Sequence, residues 1–229
     1  MKAEALFSPR ADFPFARFFP ADAAPWEWVP AVAKALGDFD FDACPEPDCP
    51  PGFGIRGPVY IAPGVKLPPF GAIEGPAWIG PGCEIKPGAY IRGPFIAEGG
   101  CNIGHACELK NCLLLEGAFT SHYNYVGDTI VGARAHLGAG AILCNWKFDG
   151  THIDAKTPDG RVATGMNKLG ALLGDRAEVG ANAVLMPGSI VGRRAVVMSG
   201  TTFNGHLPDG HESTGPASPP RPHAYRLGH

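Results

Sequence analysis

The chain has 229 residues, including 32 glycines and 24 prolines, and a formal net charge of −3 at pH 7. This weak negative charge excludes the broad basic surface typical of nucleic-acid binding. No apolar run has the length of a membrane span, and the N-terminus has no basic segment followed by an apolar core. We therefore expect a cytoplasmic protein that binds neither nucleic acid nor membranes.

Residues 1–52 keep no regular period and are predicted to form an N-terminal cap with one short helix. The helix is predicted from Pro25 to Leu36, because proline suits a first helical turn and Asp22 lies just upstream. Such a segment could cover the end of the domain that follows, where an unpaired strand would otherwise be exposed.

The seven cysteines are interpreted as structural thiols rather than as ligands, and no metal site is predicted. Cys44 and Cys49 are the close pair in the N-terminal segment, but no second pair or histidine cluster completes a metal site there. The function of this pair stays open. The cysteines within the later repeats can pack as small apolar residues, at Cys83, Cys101, Cys107 and Cys112.

Residues 53–204 carry apolar residues at a spacing of six. The longest runs are Ile61, Leu67, Ile73, Ile79, Ile85 and Ile91, and then Leu173, Val179, Leu185, Val191, Val197 and Phe203. A helix would repeat apolar residues at three and four positions, and a simple strand at two. Spacing of six with glycine and proline beside it predicts short strands joined by corners, closing a coil in about eighteen residues. The predicted fold is an all-β, hexapeptide-repeat parallel β-helix. A β-sandwich is disfavoured because its strands do not keep a fixed spacing.

The period breaks twice, and both breaks are predicted to be loop insertions, near 116–130 and 144–172. Insertions in repeat proteins lie on one face, which is often the binding face. The polar residues in the two segments include His122, Tyr123, Asn124 and Tyr125 in the first, and Asn145 and Trp146 in the second. Residues 205–229 are rich in proline and are predicted to form an irregular C-terminal tail.

Spacing also places chemically useful side chains on neighbouring coils. Arg92 and Lys110 are eighteen residues apart, so they are predicted to stack on one face, with Glu108 beside Lys110. Two cations could hold a phosphate, and a histidine such as His122 is the usual general base near neutral pH. Two simpler alternatives remain open: a solvated ladder of cations, and a histidine that serves contacts between subunits.

The stretch ELKNCLLLEGAFTSHYNYVGDTIVGARAHLGAGAILCNW (Glu108–Trp146) resembles one family. The family is the acetyltransferase domain of the bifunctional UDP-N-acetylglucosamine pyrophosphorylase/glucosamine-1-phosphate N-acetyltransferase. The specific elements are His-x-x-Tyr-x-Gly-Asp and Gly-Ala-Gly-x-x-x-Cys-Asn, at the family's spacing. This resemblance implies a left-handed β-helix that forms a homotrimer, with the site between subunits. It also implies acetyl transfer from acetyl-CoA to the amine of an amino-sugar phosphate such as glucosamine-1-phosphate, in nucleotide-sugar metabolism.

The resemblance also implies functions for individual residues. His122 matches the catalytic base and Glu108 the carboxylate beside it. The positions that match substrate-binding residues are Arg92, Lys110, Tyr125, His136, Asn145 and Trp146. The positions that match the pantetheine-binding site of the cofactor are Ala139, Ala181 and Ser199.

The sequence departs from the family in its first specific element and in the second break. Ser121 replaces a glycine, His136 an asparagine and Trp146 a tyrosine. The insertion disrupts the region that would supply a further phosphate-binding lysine, for which the candidates are Lys147, Lys156 and Lys168. A second hypothesis therefore remains: a non-catalytic, trimerising or sugar-phosphate-binding β-helix, related to the C-terminal domains of sugar nucleotidyltransferases.

Overall fold

The computed structural model describes residues 1–213 and the backbone of Arg221 and Pro222. It confirms the predicted fold class, a left-handed parallel β-helix preceded by one short α-helix. The predicted tail lies mostly in 214–220 and 223–229, which are outside the described residues. The solenoid also continues past the predicted boundary at residue 204, because two further strands pair with it before residue 213.

The strands are short and follow one another around the coils. Before the second break they are Gly52–Arg56 (β1), Val59–Ile61 (β2), Phe70–Glu74 (β3), Ala77–Ile79 (β4), Glu84–Ile85 (β5), Tyr90–Ala97 (β6), Asn102–His105 (β7), Glu108–Leu114 (β8), Phe119–His122 (β9), Tyr125–Val131 (β10), His136–Leu137 (β11) and Ile142–Leu143 (β12). Within it lie Ile153–Thr157 (β13) and Gly160–Met166 (β14). From its end onward the strands are Leu172–Leu173 (β15), Glu178–Val179 (β16), Val184–Leu185 (β17), Ile190–Val191 (β18), Val196–Val197 (β19), Thr202–Phe203 (β20), His206–Leu207 (β21), His211–Ser213 (β22) and Arg221–Pro222 (β23).

Parallel pairing between successive coils produces three faces. The first face contains β1, β3, the N-terminal parts of β6, β8 and β10, then β12, β17 and β20. The second face contains β2, β4, the C-terminal parts of β6, β8 and β10, then β15, β18 and β21. The third face contains β5, β7, β9, β11, β16, β19 and β22.

The first break in the period is a tightened corner, and the predicted loop insertion near 116–130 is wrong. In β6 the corner between the first and second faces contains Gly93 and Pro94, whereas in β8 and β10 it contains one residue, Asn111 or Asp128. These two residues have φ of 47° and 50°, in the left-handed region that Asn and Asp tolerate better than most residues. Each coil loses one residue there, so the spacing of six slips while β9 and β10 remain regular strands.

The second break is an excursion from the solenoid. The chain leaves after β12 and returns at β15, and between them β13 and β14 form an antiparallel hairpin. Because the coil resumes in register, with Leu172 paired to Ile130 on the second face, the excursion leaves the stacking of coils intact.

The inward side chains form a continuous apolar core along the solenoid axis. It includes the predicted positions Ile73, Ile79, Ile85 and Ile91, and continues to Leu207. Each coil alone could not shield these side chains from water, so stacking of neighbours stabilises the fold.

A second apolar core covers the outward side of the second face. Its solenoid members include Trp78, Ile96, Leu113, Ile130, Leu172 and Ile190. The N-terminal segment and the hairpin pack against them, with Trp28 and Ile153 among the fully buried side chains of these two elements. Most of the N-terminal segment therefore lies along the side of the solenoid rather than over its end, because these outward positions are apolar and need cover. Near the end of this segment, Cys49 packs against the inner core.

The helical part of the N-terminal segment is close to its predicted limits. Short 3-10 helices at Ala3–Ala5, Ala16–Phe18 and Pro25–Glu27 precede α1 (Trp28–Gly37). Pro30 is tolerated because it lies in the first turn, where a backbone N–H has no helical acceptor. No helix among residues 1–213 is long and apolar enough to cross a membrane.

Polar contacts fasten the N-terminal segment to the solenoid. Glu98 is buried. Its carboxylate accepts hydrogen bonds from the backbone N–H of Arg10 at 3.2 Å and from the backbone N–H of Glu116 at 3.0 Å. Arg193 Nη2 donates to the Glu4 carbonyl at 2.9 Å and to the Ser8 hydroxyl at 2.8 Å. These bonds hold both ends of the first ten residues against the coils.

Candidate functional site

A cavity of about 300 Å³ opens on the first face beside β6, β8 and β10. Its lining residues are Arg92, Lys110, Tyr125, Asn145, Trp146 and Lys168. We call it the cationic cavity. Five of these residues are substrate-binding positions predicted from the sequence, and Lys168 is one of the three candidate lysines in the excursion.

Arg92 and Lys110 lie side by side because they are register partners on adjacent strands. Each cation has a carboxylate beside it: Arg92 forms an ion pair with Glu108, and Lys110 Nζ lies 3.6 Å from Asp128 Oδ2. The Nε of Arg92 is buried without a hydrogen-bond partner. The Arg92 side chain as a whole is 34% exposed and lines the cavity, so its guanidinium group can still contact an anion there.

Asp128 organises the far wall of the cavity. Its carboxylate is 5% exposed and accepts hydrogen bonds from Asn111 Nδ2 at 2.7 Å and Asn145 Nδ2 at 2.5 Å. Asn145 Nδ2 also lies 3.1 Å from the Tyr125 hydroxyl, and burial raises the pKa of that hydroxyl. Asp128 was not among the site residues predicted from the sequence. The Gly-Asp that ends the His-x-x-Tyr-x-Gly-Asp element was the sequence feature that could have identified it.

Gly127 makes room for this arrangement. It is the register partner of Lys110 on the next coil. A Cβ at this position would lie 2.6 Å from Asn145 Nδ2 and 2.7 Å from the Tyr125 hydroxyl, well inside normal contact distances. The ladder of Arg92 and Lys110 therefore ends at a glycine, which lets Tyr125 and Asn145 approach the cations.

The excursion contributes Lys168 to the cavity. Its Nζ lies 5.9 Å from the centroid of the Trp146 ring, within the range of a cation–π contact. The other two candidates point elsewhere: Lys147 Nζ donates to the His152 carbonyl at 2.5 Å, and Lys156 Nζ to the Pro187 carbonyl at 2.7 Å. Lys168 is thus the candidate that can add a third cation to Arg92 and Lys110.

His122 ends β9 at the corner that leads into β10. The residue is exposed, and its side chain has no hydrogen-bond partner within residues 1–213. The predicted contact with Glu108 is not formed, because the Glu108 carboxylate pairs with Arg92 on the neighbouring coil. His122 is therefore free to contact a ligand but is not oriented by a carboxylate of the described chain.

The three predicted pantetheine positions align with His122. Phe119 of β9 pairs with His136, and His136 with Glu178. If the same register is continued beyond the strands, equivalent corner positions of successive coils stack in a column. The column contains His122, Ala139, Ala181 and Ser199. The backbone supports this column, since the N–H of Gly140 donates to the His122 carbonyl at 2.8 Å. A groove of about 380 Å³ runs beside it and is lined by Ala181 and Ser199.

His136 lies outside the cationic cavity that the other five predicted substrate-binding residues line, and its predicted function in substrate binding stays a prediction. It projects outward from the third face, because the next residue on β11, Leu137, points into the inner core. There His136 Nδ1 is 2.8 Å from Glu178 Oε2, and Nε2 is 2.9 Å from the Ser121 hydroxyl.

The seven cysteines, all within the described residues, are free thiols. Burial raises the pKa of Cys107 and Cys112, the latter well above the usual range for a thiol. Within residues 1–213, no group of three or more His, Cys, Asp and Glu side chains has the arrangement of a metal site.

The fold and the aligned sequence define a hexapeptide-repeat β-helix that resembles acetyltransferases. No family model matches the chain. The bifunctional sugar-1-phosphate nucleotidylyltransferase/acetyltransferase of Sulfurisphaera tokodaii is 33% identical over 97 residues, covering 42% of this chain and 24% of that protein. The bifunctional protein GlmU of Rhizobium johnstonii is 32% identical over 102 residues, covering 44% of this chain and 19% of that protein.

A third curated relative and one solved structure are also similar to this chain. The uncharacterized acetyltransferase YaiX of Escherichia coli O6:K15:H31 is 31% identical over 105 residues, which is 46% of each protein. The chain thus spans less than half the length of these curated relatives. The solved structure of the polysialic acid O-acetyltransferase OatWY shares the fold, with a TM-score of 0.57, 17% identity, and coverage of 77% of this chain and 91% of that chain.

Proposed function

We propose that the protein transfers an acetyl group from acetyl-CoA to the amine of an amino-sugar phosphate such as glucosamine-1-phosphate, within nucleotide-sugar metabolism. The cationic cavity is the observation that carries this proposal, because Arg92, Lys110 and Lys168 converge there beside the hydroxyl of Tyr125 and the amide of Asn145. The relatives named as acetyltransferases support the acyl-transfer part of the reaction.

The cations bind the phosphate group. Arg92 offers its guanidinium group, and Lys110 and Lys168 offer ammonium groups. Charge-assisted hydrogen bonds to phosphate are among the strongest polar contacts available to a protein. Glu108 and Asp128 hold Arg92 and Lys110 in place, and the hydroxyl and amide of Tyr125 and Asn145 contact the sugar.

His122 is the general base. As the amine nitrogen attacks the thioester carbonyl carbon, His122 takes a proton from the nitrogen, a C–N bond forms and the C–S bond breaks. Coenzyme A then leaves and gains a proton to become the free thiol. The column of Ala139, Ala181 and Ser199 begins one coil from His122, and its small side chains leave room for the pantetheine arm of acetyl-CoA.

The test is release of free thiol when acetyl-CoA and glucosamine-1-phosphate are added to the protein. We expect release that falls strongly when glucosamine replaces its phosphate ester. His122→Ala should lower kcat by about 10²- to 10⁴-fold, the usual contribution of a general base. His152→Ala is the control and should leave the rate unchanged, since His152 is an exposed histidine on the excursion.

Two outcomes would contradict the proposal. If His122→Ala keeps full activity, His122 is not the base. If the sugar phosphate binds without any thiol release, the protein is a binding module, as in the second hypothesis from the sequence.

We further propose a homotrimer in which the site lies between subunits. Phe119 and Tyr123 support this assembly, because both are large hydrophobic residues that remain exposed in the single chain, at 39% and 61% exposure. Sedimentation velocity should give three times the mass of the chain, and a monomer would contradict the assembly.

A further inference from the structure

A second cavity, of about 370 Å³, lies between the N-terminal segment and the corner that joins the second and third faces. We call it the corner cavity. The residues that matter for its chemistry are Phe13 and Pro14 of the segment, and Trp78, Pro81, Glu98 and Arg134 of the coils. None of its lining residues also lines the cationic cavity, so the two cavities are separate.

The space of the corner cavity comes from two glycines. Gly100, Gly117 and Arg134 occupy equivalent positions on successive coils, because the N–H of Gly117 donates to the Gly99 carbonyl and the N–H of Arg134 to the Glu116 carbonyl. Their φ angles are 72°, 65° and 55°, in the left-handed region that favours glycine. Since Gly100 and Gly117 have no side chains, the corner stays open as far as Arg134.

Glu98 is the unusual side chain in this cavity. The equivalent positions on the neighbouring coils are Gly80 and Leu115, so the corner itself does not require a carboxylate. Glu98 is 3% exposed, and each of its oxygens accepts one backbone N–H, from Arg10 and from Glu116. A carboxylate has about four lone-pair positions, so Glu98 can accept further hydrogen bonds.

The charges around the cavity leave Glu98 without a cation. The guanidinium of Arg10 binds Asp12 at 2.8 and 2.9 Å and Glu116 at 3.0 Å. Glu98 forms no ion pair with a side chain of residues 1–213, and burial raises its pKa. Three carboxylates and two guanidiniums line the cavity, with Arg134 as the second guanidinium. A buried charge without a partner is costly, so a cation in this cavity would be stabilised.

We propose that the corner cavity binds a small organic cation, with an ammonium group attached to an aromatic or other apolar body. The ammonium group donates hydrogen bonds to the Glu98 carboxylate. The body lies against the apolar and aromatic walls, which are also favourable for a cation near a ring face. Because Glu98 already binds the backbone of Arg10, the bound ligand also holds the N-terminal segment against the coils.

Binding of two matched probes tests the class of ligand. Phenethylamine is a primary amine that is protonated at neutral pH, and 3-phenylpropionate carries a carboxylate on a similar aromatic body. We expect phenethylamine to bind by calorimetry and to raise the melting temperature of the full chain, and 3-phenylpropionate to do neither. Absence of phenethylamine binding, or equal binding of both probes, would overturn the proposal.

Substitutions at the two unpaired charges should have opposite effects. Glu98→Gln should weaken phenethylamine binding about 10- to 100-fold, the usual contribution of a hydrogen bond to a charged group. An amide NH₂ cannot accept a backbone N–H, so this variant also loses a contact of the corner, and circular dichroism must show an intact fold.

Arg134→Met does not depend on that contact. It should tighten phenethylamine binding about 2- to 5-fold, since it removes a repulsive charge at a partly exposed site. Arg176→Met is the matched control, because Arg176 occupies the same corner on the next coil, with φ of 59°, and does not line the cavity. Equal changes in the two arginine variants would indicate general repulsion and would contradict a defined site.

The last comparison separates this site from the acceptor site. An amine could also enter the cationic cavity as an acceptor, so phenethylamine binding is measured in Arg92→Met as well. We expect unchanged binding there, and slower proteolytic release of the N-terminal segment when phenethylamine is bound. Loss of binding in Arg92→Met would place the amine in the cationic cavity and overturn this proposal. A lack of acetyl transfer would overturn the proposed function and leave the corner cavity untouched.

Discussion

The second face of the β-helix is covered, whereas the first and third faces are open, and their outward side chains differ accordingly. The second face presents apolar residues such as Leu113 and Ile130, which are fully buried under the N-terminal segment and the hairpin. The first face presents Arg92 and Lys110, and the third face His136. The inward core is continuous behind all three faces, so the outward residues decide which face packs and which face can bind ligands.

The physical reason is the cost of apolar surface in water. Each buried outward leucine or isoleucine on the second face contributes about 1.5–3 kcal/mol relative to exposure. The covering layer therefore forms where these side chains are, and the polar faces stay free for chemistry.

The largest effect is expected for Trp28→Ala, which removes a fully buried tryptophan of the covering layer. The Trp28 ring lies 5.0 Å from Phe7 and 5.4 Å from Phe19 between centroids, and its indole N–H donates to the Pro20 carbonyl at 3.1 Å. We expect the free energy of unfolding to fall by about 3–5 kcal/mol in chemical denaturation. Trp146→Ala on the open first face should cost about 0.5 kcal/mol or less. Equal losses would mean that the covered and open faces do not differ.

A matched pair of leucines separates the two cores. Leu113 points outward under the N-terminal segment and Leu114 points into the solenoid, and both are fully buried. Substitution of either by alanine should cost about 2–5 kcal/mol. Limited proteolysis should release the N-terminal segment early in Leu113→Ala but not in Leu114→Ala. Early release in both variants would show that the covering layer depends on the inner core.

On the open first face, charge should affect binding. Arg92→Met should weaken binding of glucosamine-1-phosphate about 10- to 100-fold by calorimetry, since it removes a charge-assisted contact of about 1.5–3 kcal/mol. Arg56→Met is the control, because Arg56 occupies the same ladder two coils away with a side chain that is 84% exposed. A similar loss in both variants would indicate general attraction rather than a defined cavity.

The smallest effect concerns Lys156, which fastens the hairpin at the edge of the covered face. Burial lowers the pKa of Lys156 to about 8, so the unfolded chain binds more protons than the folded chain between pH 8 and 10.5. The free energy of unfolding should therefore rise across this window, by about 1–2 kcal/mol for a half-buried group. Denaturation at several pH values should show that Lys156→Met lacks this rise and Lys147→Met keeps it. A wild-type curve that is flat would contradict the burial of the Lys156 ammonium.

Much of the fold could be predicted because strand and corner lengths repeat in the sequence. The error at the first break has a local cause: one left-handed residue, Asn111 or Asp128, replaces a two-residue corner. The apolar spacing falls from six to five between Leu109 and Leu114, although the interior column continues. Loss of a corner residue and insertion of a loop disturb a period in the same way, so spacing alone could not distinguish them.

Part of the cationic cavity could be predicted from the sequence. The stacking of Arg92 and Lys110 follows from coil length, since register partners are one coil apart. The position of Lys168 does not, because it lies on an excursion with no period. The hydrogen bond between His136 and Glu178 does not follow from coil length either, because the two residues are separated by 42 positions across that excursion. The contacts of Lys168 and His136 therefore required the tertiary structure.

The sequence by itself determined the coil, the inward core and the cation ladder, because each depends only on spacing along the chain. The tertiary structure alone decided which face the N-terminal segment covers, which lysine enters the cavity, and which groups surround His136. These outcomes depend on how a non-periodic segment packs against a periodic surface. Such packing is decided by the shape and polarity of outward side chains on several coils at once, and no local stretch of sequence contains that information.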